Sequence, residues 1–124
     1  MSVERAADHP TFEIAGTTVT SYASPSRGSS ENALFRTDLP PAGGLPPHRH
    51  DHFGVFVVLV GSGTVHIGDD AKRIQAGDSV VIPKGELHWF DAGNEGATLI
   101  VTMDAGTKLM REDDGTEVVP PWVS

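Results

Sequence analysis

Fourteen glycines and nine prolines are spread so evenly through the 124 residues that few helix-length windows escape a breaker. Relative to alanine, glycine costs a helix interior about 1 kcal/mol and proline about 3 kcal/mol, so helix is excluded as the main element. Between the breakers lie short runs rich in β-branched and aromatic residues: Phe12 to Ala15, Thr17 to Tyr22, Ala33 to Leu39, Val55 to Val60, Thr64 to Ile67, Ser79 to Ile82, Leu87 to Phe90 and Thr98 to Met103. They predict an all-β chain whose strand spacing suits a barrel or a two-sheet jelly roll. Gly61-Ser62-Gly63 predicts a tight hairpin between two of these runs, and Gly68-Asp69-Asp70 predicts the next turn.

The length fits one domain, given the usual ~100–200 residues per domain, and no internal repeat argues for two barrels. Residues 1–10 and 106–124 carry clustered charge or proline and are expected as arms around a barrel core spanning about residues 12–104. Nine basic against seventeen acidic residues give a net charge of −8, and no Lys/Arg cluster is present to follow a phosphate backbone. Nucleic acid is therefore not an expected partner. The longest apolar stretch, Val55 to Val60, falls far short of the ~20 residues of a membrane helix, and MSVERAADHP has no apolar signal core. A cytoplasmic protein without a membrane partner is expected. The chain has no cysteine, which excludes disulfides and thiolate chemistry and leaves His and carboxylates to hold any metal.

His48 and His50 are separated by one residue, so on an extended strand both rings leave the same face, with Cα atoms roughly 6.5–7 Å apart. Two imidazoles at that spacing can reach one ion, although such a pair alone is commonplace on surface strands. The stronger signal is its combination with Gly77-Asp78-Ser79-Val80-Val81-Ile82-Pro83-Lys84-Gly85-Glu86-Leu87-His88, where a turn at Pro83 to Gly85 delivers a third histidine at the start of a strand.

Over residues 43 to 94 these features resemble the cupin superfamily, whose two motifs read G-x5-H-x-H-x3,4-E-x6-G and G-x5-P-x-G-x2-H-x3-N. His48, His50 and Gly61 fall on the first motif; Gly77, Pro83, Gly85 and His88 fall on the second. Two positions depart from the pattern. Gly54 stands seven residues before Gly61, where the family usually has a glutamate ligand, and Ala92 stands where the second motif ends in asparagine. The resemblance implies a single cupin β-barrel, of the double-stranded β-helix or jelly-roll kind, with one divalent metal ion on His48, His50 and His88. Without the glutamate, three neutral ligands leave the ion its full 2+ charge, which makes it a stronger Lewis acid.

His52 continues the alternation of His48-Arg49-His50-Asp51-His52. It is read as an acid/base or rim residue of the pocket, with ligation as the alternative, since the family usually bends at this point. Asp51 is read either as the orienting partner of a ligand histidine or as a solvated turn residue. By strand parity Phe90 shares the face of His88, and Phe56 shares the face of Gly54; both are expected to line the pocket. Val58 is expected as plain core. Arg36 and Arg49 are candidate anion contacts, and Arg36 is placed with the pocket. His66 and His9 are read as ordinary histidines. Trp89 is expected to point away from His88, and Trp122 to pack a terminal arm or a dimer seam.

The resemblance implies a metal-dependent enzyme acting on a small organic molecule, foremost a non-haem Fe(II) dioxygenase, because cupins with three-histidine iron sites include dioxygenases. Zn, Ni or Mn in a non-redox cyclase, isomerase or decarboxylase is the alternative, and a binding module without turnover is a third class. Unprotected sheet edges, together with the pairing habit of small cupins, predict a homodimer.

Overall fold

The computed structural model describes residues Met1–Ser124 and contains ten strands and two single-turn 3-10 helices. The strands are β1 (Thr11–Ile14), β2 (Thr17–Ala23), β3 (Asn32–Leu39), β4 (His48–His50), β5 (Gly54–Ile67), β6 (Asp70–Gln75), β7 (Ser79–Ile82), β8 (His88–Asp104), β9 (Leu109–Arg111) and β10 (Glu117–Val118). All pairings are antiparallel. One layer runs β1-β2-β3, then the later half of β8, the first half of β5, and β7. The other runs β6, the second half of β5, the earlier half of β8, then β4, β9 and β10. The chain is thus an all-β two-layer barrel of the jelly-roll kind, and no helix is long and apolar enough to cross a membrane.

The hairpin expected at Gly61-Ser62-Gly63 is absent. The runs on either side of it form the single long strand β5, and Leu87–Phe90 and Thr98–Met103 likewise merge into β8. Gly61 does adopt a left-handed φ of +84°, but it serves a register shift where β5 passes from one layer to the other, not a reversal. A Cβ at this position would overlap the Gly96 carbonyl oxygen, so glycine is required for the backbone approach as well. The turn at Gly68-Asp69 forms as expected, with Ile67 and Asp70 as its closing pair.

Two buried clusters fill the barrel. Leu39, Phe56, Val58, Val65, Ile82, Phe90, Ala92, Ala97 and Leu99 form the larger, and Val19, Ala33, Phe35, Met103 and Val123 form the smaller. The smaller cluster corrects the reading of residues 106–124 as an arm outside the core. Val123 is fully buried, and Trp122 packs on Phe12 and Phe35 with ring centroids 5.8 and 6.2 Å apart. The cause is apolar side chains in a segment whose proline content reads as a linker: once Pro120 and Pro121 set the direction, Trp122 and Val123 cover an end of the barrel that would otherwise be wet. The segment is tied down by backbone bonds from Gly106 N–H to the Val123 carbonyl and from Ser26 N–H to the Ser124 carbonyl.

Candidate metal centre

Three rings from two distant segments meet inside the barrel. His48 and His50 leave the same face of β4, and His88 opens β8 directly opposite His48 in the ladder. The Pro83–Gly85 turn makes this possible. Gly85 takes a φ of +79°, its N–H donates to the His50 carbonyl at 2.9 Å, and Arg49 Nη1 donates to the Gly85 carbonyl at 2.9 Å. The turn is therefore fastened to β4 on both sides, and the strand leaving it starts in register with the histidine pair.

Ring centroids lie 4.9 Å apart for His48 and His50, 4.3 Å for His48 and His88, and 4.8 Å for His50 and His88. One nitrogen from each ring lies within 4.8 Å of the others, a spacing compatible with three ligands on one divalent metal. His48 Nδ1 donates to the Pro46 carbonyl and His88 Nδ1 donates to the Glu86 carbonyl, each at 2.9 Å. A carbonyl only accepts, so both rings carry their proton on Nδ1 and keep the Nε2 lone pair free, the tautomer that outer-shell carbonyls impose on metal-binding histidines. His50 Nδ1 is buried with no hydrogen-bond partner. An orphaned ring nitrogen in a cluster of rings whose lone pairs are free fits a site shaped for a cation.

The rings are 4–9% exposed, and burial dominates their acid–base behaviour. Desolvation, with the neighbouring His48 and His88 adding to it, pushes His50 from its ordinary 6.5 down to about 3. Desolvation and then His48 push His88 down to about 4, and desolvation lowers His48 despite the opposing Pro46 carbonyl. All three are neutral at neutral pH, the form a metal needs. No carboxylate joins them. At Gly54, where the first motif usually supplies one, an added Cβ would lie 3.9 Å from His50 Nδ1 and 3.9 Å from Met103 Cε, so the position faces the cluster and leaves its space open.

Beyond the rings lies a cavity of about 100 Å³. Phe56 and Phe90, expected in the pocket, both line it, meeting edge to face with centroids 6.0 Å apart. Val58 does not line it and is 1% exposed in the core, the plain role expected of it. The sequence reading missed Val19, Phe35, Thr37, Leu109 and Pro120, which also line the cavity. The alternation of Phe35, Thr37 and Leu39 on β3 carries the signal for two of these; nothing local marks the others, because they enter through tertiary packing.

Other candidates lie elsewhere. His52 is outside the cavity, its side chain 45% exposed and its Nδ1 2.9 Å from Asp51 Oδ1. The chain bends at Asp51 and His52, which breaks the alternation that would have carried a third ring inward. Asp51 orients no ligand ring, since its Oδ1 accepts from the Lys108 backbone N–H at 2.7 Å. Arg36, expected with the pocket, sits on the outer face of β3 because Phe35 and Thr37 on either side of it line the cavity; its Nε donates to Asp38 Oδ2 at 2.9 Å. Arg49 points out by the same parity and pairs with Glu112 at 3.5 Å. Trp89 stacks on His66 at 4.4 Å and 6° while also contributing to the lining, and Trp122 lines the cavity as well as packing the C-terminal segment.

A family model described as the cupin domain matches residues 35–114. Among curated relatives, an acireductone dioxygenase of Frankia alni is 35% identical over 57% of this chain and 34% of its own length. A gentisate 1,2-dioxygenase of Haloferax is 36% identical over 45% of this chain and 16% of its own length. The chain spans about a third of the length of the first of these relatives. Among solved structures, the polyketide cyclase RemF of Streptomyces resistomycificus superposes with a TM-score of 0.75 at 21% identity, covering 93% of this chain and 89% of that one. An RmlC-like cupin of Shewanella frigidimarina superposes with a TM-score of 0.73 at 20% identity, covering 84% and 90%. These structural likenesses extend to the fold.

Proposed function

We propose, from the premise that the chain belongs to the cupin domain family, that it is a metal-dependent enzyme of small organic molecules, a non-haem Fe(II) dioxygenase with His48, His50 and His88 as metal ligands. The observation that carries the reading is a cavity whose only titratable side chains are three buried, neutral imidazoles. Iron held by these three histidines would supply Lewis acidity and one-electron chemistry with dioxygen, and three protein ligands would leave room on it for an oxygen-donor substrate. The chain does the rest. The Pro46 and Glu86 carbonyls hold the His48 and His88 rings in the tautomer that directs Nε2 to the centre. Phe56 and Phe90 give the cavity beside them an apolar wall.

The same lining argues against the non-redox alternatives. Cyclisation, isomerisation and decarboxylation move protons, and proton transfer is fastest from a positioned side chain of matched pKa. The cavity offers no carboxylate, lysine or tyrosine for that work, and His52 stands outside it. The dioxygenase names of two curated relatives support the redox reading in the same direction. The test is anaerobic reconstitution with Fe(II), followed by oxygen-consumption measurements over diketone, catechol and thiol panels. Consumption with at least one class is expected. Silence across all three, or turnover by a zinc-only preparation without oxygen, would transfer the protein to the non-redox class.

A further inference from the structure

Three basic side chains adjoin the cavity lining in sequence, and all three are turned away from it. Arg36 lies between the lining residues Phe35 and Thr37 and is engaged by Asp38 at 2.9 Å; Arg49 lies between His48 and His50 and faces Glu112 at 3.5 Å. Lys108 lies between the lining residues Thr107 and Leu109 and reaches Glu117 at 3.9 Å. Each is matched with an acid on the outside. Inside, apart from the histidines, polarity is limited to two threonines and the edges of two tryptophans, and the Thr107 hydroxyl already donates to the Asp104 carbonyl. The protein as a whole carries a net charge of −8, which repels a multiply charged anion before it arrives.

We infer that the cavity takes a small, apolar molecule carrying a single oxygen-donor head for the histidine-bound metal, and that it rejects any molecule with a second ionised group. The inference rests on the metal reading of the preceding subsection and adds the substrate class. One negative charge is tolerated because the head sits against an ion that retains its full 2+ charge on three neutral ligands. A second charge would be buried against Phe35, Leu39, Val101 and Trp122 without a counter-charge or a sufficient set of hydrogen-bond donors. Dicarboxylates and carboxylated aromatic acids are thus outside the class, and small apolar enols, hydroxyketones and similar monoanionic chelators are inside it.

The test compares two probes with the same metal-binding head on Co(II)-loaded full-length protein kept anaerobic. Maltol is a hydroxypyranone with one bidentate oxygen pair, and comenic acid is a hydroxypyranone that carries a carboxylate remote from that pair. Binding is read from the visible cobalt band and from tryptophan quenching. Maltol is expected to bind, with comenic acid at least about 30-fold weaker. Leu109→Arg, at a half-buried lining position where a guanidinium has access to water, is expected to narrow the gap to under about tenfold. A normal cobalt band that comenic acid perturbs as readily as maltol, or that maltol leaves unchanged, overturns this inference alone. A gap that Leu109→Arg leaves at its full width, with the band intact, also counts against it. Absence of any cobalt band in the wild-type protein removes the metal reading itself, and this inference with it.

Discussion

Two sets of histidines lie on the inner and outer faces of the barrel. His48, His50 and His88 point inward, are nearly dry, and meet only carbonyls and one another. His52 and His66 are turned outward, and each has an aspartate, Asp51 at 2.9 Å and Asp91 at 3.1 Å. The outer rings find carboxylate partners in solvent, whereas the carbonyls fix the tautomer of the inner rings and leave their charge to be decided mainly by burial. The placement of carboxylates, more than the spacing of histidines along the chain, therefore separates a candidate ligand from a surface ring.

The largest effect that would test this contrast is on stability against acid. In the unfolded chain imidazoles take up protons near 6.5, while in the folded protein His50 and His88 do so only at about 3 and about 4. Between those values the unfolded state binds more protons, so stability rises with pH and is lost as pH falls from about 6.5 towards 4. Metal-free protein is expected to lose on the order of 5 kcal/mol over that window, seen as a falling urea midpoint. His50→Gln should flatten the slope; an unchanged slope would show that the inner rings are not what acid attacks.

Next in size is the response to single deletions. His50→Ala is expected to weaken zinc binding by more than about 100-fold, beyond the range for an outer-shell partner, whereas His66→Ala should leave it within about twofold. Competition with a chromophoric chelator reads both, and equal losses would erase the distinction between the two faces. The smallest effect belongs to the outer pair. Asp91→Asn removes the partner of a quarter-exposed His66 and should cost less than about 1 kcal/mol in chemical unfolding, with zinc binding unaltered.

Much of this was legible beforehand, for identifiable reasons. The inward trio follows from strand alternation at His48 and His50 and from the turn chemistry of Pro83 and Gly85, both local rules. His52 and Arg36 were misplaced for a common reason: parity gives the face only while a strand lasts and only once its inward phase is known. The bend at Asp51 ends the first condition, and burial of Phe35 and Thr37 sets the second. The Gly61 region was misread because a left-handed glycine signals a hairpin and a strand crossover alike. The burial of Val123 is a wholly non-local fact, decided by which end of the barrel needed cover.

β5 and β8 each belong to both layers and pair with each other along most of their length. The layers are thus two stretches of one continuous ribbon, with no separate leaf to peel away. Thermal or chemical disruption at either side must travel along the same pair of backbones, so the amides of both layers should lose protection together, in one concerted opening.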